Sequence, residues 1–130
     1  MRILITGNLG YIGPVLSKFI KENFNNSKIF GYDTGYFKSN KMVKNSKNYI
    51  DKQIIGDIRN FKIEYLNKID AVIHLCAISN DPIGNKFEEV THQVNYQASK
   101  KLLNMVIRSD IEHFSFASSC SVYGRGGKLI

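Results

Sequence analysis

Glycine recurs at every third position across Gly7-Asn8-Leu9-Gly10-Tyr11-Ile12-Gly13. What flanks those glycines narrows the possible folds sharply. Before them, Arg2–Thr6 (RILIT) is a short, apolar, β-branched run, the pattern of a buried parallel strand. After them, Ile12, Val15, Leu16, Phe19, Ile20 and Phe24 recur at helical spacing. Pro14 suits the first turn of that helix, where a missing N–H costs nothing. Strand, glycine turn and helix together open a β-α-β unit. Glycines at such a turn allow a tight bend and close approach of backbone to a pyrophosphate. The helix start adds N–H groups and the positive end of its dipole. The flanking strand and helix are the context that gives a glycine pattern its meaning, since the glycines alone are weak evidence.

The rest of the chain repeats the alternation. Lys28–Tyr32 reads as a second strand ending at Asp33, and residues 34–48 as a long polar loop. Tyr49–Ile55 reads as a third strand closed by Gly56-Asp57, Phe61–Leu66 as a short helix, and Ala71–Leu75 as a fourth strand. After the Asn80-Asp81-Pro82 turn a long helix is expected over roughly Asn85 to Ser109. Phe87, Val90, Val94, Ala98, Leu102 and Met105 would line one face of it. His113–Ser118 is a fifth strand, and Ser121–Ile130 is a glycine-rich end with no further element. Alternating strands and helices imply a parallel α/β sheet with right-handed crossovers and a Rossmann-type strand order of 3-2-1-4-5. One domain suffices for 130 residues.

Asp33 stands twenty residues beyond Gly13, at the end of the second strand. A carboxylate there accepts hydrogen bonds from ribose hydroxyls and repels a 2′-phosphate, which favours NAD over NADP. Lys38, close by, leaves NADP as the lesser alternative. Read alone, Asp33 also suits a solvated turn before Thr34-Gly35. The formal net charge is +7, from 18 Lys+Arg against 11 Asp+Glu. The lysines are dispersed, and the densest stretch, Lys38 to Lys52, is also rich in Asn and Ser. A solvated surface is therefore expected rather than a nucleic-acid partner. No apolar run approaches the ~18 residues of a membrane span. MRILITG lacks the apolar region of a signal peptide, so a cytoplasmic location is expected. Cys76 and Cys120 make no disulfide framework or metal motif and are expected to be reduced thiols.

The GxxGxxG spacing resembles that of the extended branch of the short-chain dehydrogenase/reductase superfamily, which includes NAD-dependent epimerases and dehydratases of nucleotide sugars. Four further segments match that family in order. They are Gly56-Asp57-Ile58-Arg59, His74-Leu75-Cys76-Ala77, Val94-Asn95 and Ser118-Ser119-Cys120-Ser121-Val122-Tyr123-Gly124. The resemblance implies that Asp57 bonds the adenine amino group and that Ile58 packs on the ring. It implies that Leu75, Cys76 and Ala77 approach ribose and pyrophosphate; Cys76 replaces the usual Ala, a small-for-small change. Asn95 would serve structurally or as a water relay. Ser118 would support the nicotinamide side, and Ser119 would be the catalytic hydroxyl that bonds the sugar and helps proton transfer. Taken alone, Asp57 reads equally as a turn residue, Asn95 as a solvated helix residue, and His74 as a satisfied strand-end histidine.

The family's base is the Tyr of a Tyr-x-x-x-Lys pair lying beyond the serine motif, and no such pair follows Gly124 in these residues. Tyr96 and Lys100 have the spacing but precede the serine motif, directly after Asn95. They read as a chance i,i+4 neighbour pair on a helix. The expectation is therefore an incomplete NAD-binding domain, without the C-terminal lobe that would hold a nucleotide sugar in a full-length parent. Catalysis by these residues alone is not expected, and a homodimer is possible. The rival reading is a stand-alone, non-catalytic dinucleotide-binding module.

Overall fold

The computed structural model describes residues 1–79 and 81–119. Cys120 and the glycine-rich end lie outside the described residues. Five parallel strands form one sheet: β1 Arg2–Thr6, β2 Lys28–Asp33, β3 Lys52–Ile55, β4 Ala71–His74 and β5 His113–Phe116. Their order, β3-β2-β1-β4-β5, is the expected one. The register pairs Ile5 with Gly31 and Ile73, and Gly31 with Gln53.

Alternation along β1 divides the core between the two faces of the sheet. Ile3 and Ile5 join Ile20, Ile29 and Ala71 on the side of α1, Gly13–Asn23. Leu4 joins Tyr32, Phe61, Val72 and Leu102 on the other side. Helix α1 buries Gly13, Pro14, Ser17 and Ile20, whereas Val15 and Phe19 are exposed. Its apolar spacing does mark a helix. The stripe that faces the sheet, however, is built mostly from small residues that let the helix backbone come close.

Strands β4 and β5 end at His74 and Phe116, short of the expected Leu75 and Ser118, and three further stretches differ from the sequence expectation. The polar stretch 34–48 contains a short helix, α2 (Lys41–Ser46), anchored by the buried Val43. A 3-10 turn over Lys47–Tyr49 follows, so β3 begins at Lys52 rather than Tyr49. Asp51 terminates the turn, because its carboxylate accepts from Ile29 N at 2.7 Å and from Lys21 Nζ at 2.6 Å. The short helix expected over Phe61–Leu66 is a 3-10 turn over Ile63–Leu66.

The long helix is also subdivided. It comprises α3 (Asp81–Lys86), α4 (Glu88–His92), a π-helical segment (Gln93–Ala98) and α5 (Ser99–Ile107). Phe87 breaks the first junction with a non-helical ψ of 50°, and both Phe87 and Val90 are exposed. The buried face runs from Val94 through Ala98 and Leu102 to Val106. Among the described residues, no helix is long and apolar enough to cross a membrane, and no His, Cys, Asp and Glu group could hold a metal ion.

Candidate functional site

Each strand carries its candidate residues past its carboxyl end. The loop leaves β1 beside β4, where the chain order of the sheet reverses and α/β sheets form their ligand crevice. The loop is clasped from several sides. Gly7 has φ +75°, and its N–H donates to Tyr32 O at 2.8 Å. A Cβ on Gly7 would come within 2.8 Å of the Cys76 backbone, so the segment after β4 passes too close for any side chain there. Gly10 N donates back to Gly7 O at 3.1 Å, closing the turn. Gly13, the first residue of α1, lies directly against the Asn8 backbone, with no room for a Cβ.

This packing decides which loop atoms face outward. Asn8 and Leu9 bury their side chains, whereas Tyr11 and Ile12 are exposed at the mouth. Helix α1 starts without a side-chain cap and without an acidic residue in its first turn. A helix start of this kind favours an incoming anion, because its end N–H groups and its dipole lack a competing carboxylate.

Asp33 is more than a solvated turn residue. Its carboxylate accepts from Leu9 N at 3.0 Å and from Gly35 N at 2.7 Å. The loop therefore holds the acid at its own edge. Asp57 caps the 3-10 turn Ile58–Asn60, accepting from Arg59 N at 2.9 Å. The Arg59 guanidinium grips the same carboxylate, with Nη2 to Oδ2 at 2.5 Å. Hydrogen bonding to Arg59 holds the Asp57 carboxyl below its ordinary pKa. Any adenine amino group reaching Asp57 thus meets a carboxylate that already has a partner. Ile58 turns its side chain into the core at 2% exposure, leaving little surface for a ring to rest on.

Leu75 and Cys76 are half-buried, and Ala77 is exposed. Burial, reinforced by Asp33 and Asp57, pushes the Cys76 thiol up to about 12, so the group stays neutral. Cys76 is a free thiol. Asn95 braces the segment after β4: its Oδ1 accepts from Ile78 N at 2.8 Å and its Nδ2 donates to Ile78 O at 2.9 Å. It reaches that backbone from within the π-helical segment, an irregularity often associated with functional sites. Ser118 and Ser119 stand exposed after β5, and the rest of the motif, Cys120 to Gly124, lies outside the described residues.

His74 is a structural residue. It is 1% exposed, with Nδ1 at 2.5 Å from Thr6 Oγ1 and Nε2 at 2.8 Å from Ser99 Oγ. Burial lowers its pKa to about 4, so the ring is neutral at physiological pH. Tyr96 and Lys100 do not reach the loop. They line a surface groove with Ile63, Lys101 and Arg108, and Lys100 Nζ sits 5.7 Å over the face of the Tyr96 ring. Sequence reading missed Gln53, whose side chain meets Asn8 at 2.6 Å. The available signal was Gly31, a glycine inside a strand, which marks a close approach.

Comparison with known proteins bears on the family and the fold. The profile of the NAD dependent epimerase/dehydratase family matches residues 3–130. An uncharacterized protein of Methanocaldococcus jannaschii is 30% identical over 98% of this chain and 42% of its own length. A dTDP-D-glucose 4,6-dehydratase of Dictyostelium discoideum is 31% identical over 96% of this chain and 30% of its own. The crystal structure of Bacillus cereus UDP-glucuronic acid 4-epimerase, in complex with UDP-glucuronic acid and NAD, superposes with a TM-score of 0.85. It is 25% identical and covers all of this chain and 44% of its own. The chain thus spans less than half the length of these relatives. With the profile match covering nearly every residue, the chain belongs to the NAD dependent epimerase/dehydratase family.

Proposed function

We propose that these residues bind NAD in the crevice between the glycine loop and the ends of β2, β3 and β4, as the cofactor-holding part of a nucleotide-sugar epimerase or dehydratase. The observation that carries this reading is the loop itself. Its glycines leave no Cβ between β1, β4 and α1, its helix start has no competing acid, and Asp33 is bonded to its edge. The loop and the helix start would receive the pyrophosphate. Asp33 would receive the adenosine ribose, and its charge would discriminate against the 2′-phosphate of NADP. The adenine end would lie toward Asp57 and the nicotinamide end toward Ser118.

Bound NAD supplies a transient hydride acceptor for a sugar carbon. Ser119 would then bond a hydroxyl of the sugar and help move its proton. The substrate class follows the relatives, one of which was crystallised with UDP-glucuronic acid and NAD. Tyr96 and Lys100 sit in a groove that shares no residue with the loop, so we assign them no part in the reaction.

Isothermal titration calorimetry on the 130-residue chain tests this reading. The expected result is saturable NAD binding, weaker for NADP. A folded chain that binds no NAD at millimolar concentration would refute it. Turnover that disappears in Tyr96→Phe would overturn the assignment of that pair.

A further inference from the structure

We propose that Gln53, on β3, is a positioning residue for the glycine loop, acting through the side chain of Asn8 to set affinity for a ligand containing a diphosphate. The inference rests on the NAD reading above and deepens it. Asn8 is 1% exposed, and an amide so deeply buried requires a partner. Gln53 supplies it head to head. Asn8 Nδ2 donates to Gln53 Oε1 at 2.6 Å, and Gln53 Nε2 donates to Asn8 Oδ1 at 3.1 Å. Gln53 Nε2 also donates to Ile54 O at 3.1 Å, so its own amide is held in one orientation.

The pair lies over Gly31, the residue that Gln53 faces in the β2–β3 register. A Cβ at Gly31 would come 2.5 Å from Gln53 Oε1, so this strand glycine is the seat of the amide pair. The other side of Asn8 is its backbone, which lies against Gly13 at the start of α1. A displacement of the Asn8 side chain is therefore transmitted to the contact that docks the helix start. In this way the outermost strand of the sheet reaches the loop from the far side of β2.

The test compares the parent chain with Gln53→Leu, which keeps the bulk and removes both hydrogen bonds to Asn8 together with the one to Ile54 O. Gln53 is exposed and on a strand, so a leucine is compatible with folding, and a melting curve verifies it. NAD, ADP-ribose and ADP should each bind about tenfold more weakly, the cost of one buried amide losing its partner. Adenosine, which has no phosphate, should bind as before. In an Asn8→Ala background the Gln53→Leu substitution should have no further effect, because the two residues act as one unit.

Undiminished NAD binding by Gln53→Leu overturns the proposal. So does an equal loss for adenosine, or a loss that simply adds to that of Asn8→Ala. If Gln53→Leu does not fold, Gln53→Thr serves for the same comparison. Failure of the parent chain to bind NAD refutes the cofactor reading and this proposal with it, whereas parent binding with no effect at Gln53 refutes this proposal alone.

Discussion

Around the glycine loop, Asn8 and Leu9 are buried, Asp33 accepts two backbone N–H groups, and Gly7 and Gly13 sit where a side chain would overlap neighbouring backbone. Beyond β5 the picture reverses. Phe116, the last residue of that strand, is 53% exposed, and Ser118 and Ser119 are exposed after it. The glycine-loop part of the candidate site is thus held by packing among the described residues. The serine part takes little burial from them. Binding should therefore be sensitive to small changes near the loop and indifferent to a change at Ser119.

The largest effect should come from Gly13→Ala. A methyl group there meets the Asn8 backbone, and overpacking against a main chain that cannot swing aside should cost about 3 kcal/mol or more. Urea denaturation measures it, and an undiminished midpoint would break the claim that α1 is docked on the loop.

His74 is the next test, and acid is the probe. Its folded pKa of about 4 lies below the ordinary value of 6.5, so the unfolded chain binds the proton more readily. The stability held by neutral His74 is complete above pH 6.5 and is lost as pH falls toward 4. It amounts to roughly 3 kcal/mol at most. Thermal melts across that window should steepen for the parent chain and flatten for His74→Gln. Equal slopes would mean that His74 does not couple β1, β4 and α5 as the Thr6 and Ser99 contacts indicate.

A smaller effect is expected at the loop edge. Asp33→Asn keeps the size of the side chain but removes its charge, and NAD affinity should fall about tenfold while the preference over NADP narrows. Calorimetry with both cofactors checks the two statements together. The smallest effect belongs to the serine end. Ser119→Ala should change unfolding free energy by no more than about 0.5 kcal/mol and leave NAD affinity unaltered. A marked loss of either would show that the contrast between the two ends is wrong.

Much of this was legible without coordinates where short-range pattern governs the outcome. The strand order follows from alternation and crossover handedness, and the loop from its glycines and flanks. Residues 34–48 were harder, because α2 has few apolar residues and is anchored by the buried Val43, a tertiary contact that no periodicity announces. The interruption at Phe87 was hidden for the opposite reason. Phe87 and Val90 continue the apolar spacing of the buried helix face but are exposed. Arg59 stood inside a recognised motif, yet its grip on Asp57 depends on how a three-residue turn folds back.

The sequence by itself determined the α/β class, the place of the glycine turn between β1 and α1, and the acid at the end of β2, because each depends on residues close in the chain. Tertiary structure alone decided which groups those residues meet. Asn8 and Gln53 are 45 positions apart, and Thr6 and His74 are 68. Parallel strands bring such residues together only after a crossover has closed, and side-chain chemistry does not encode that distance.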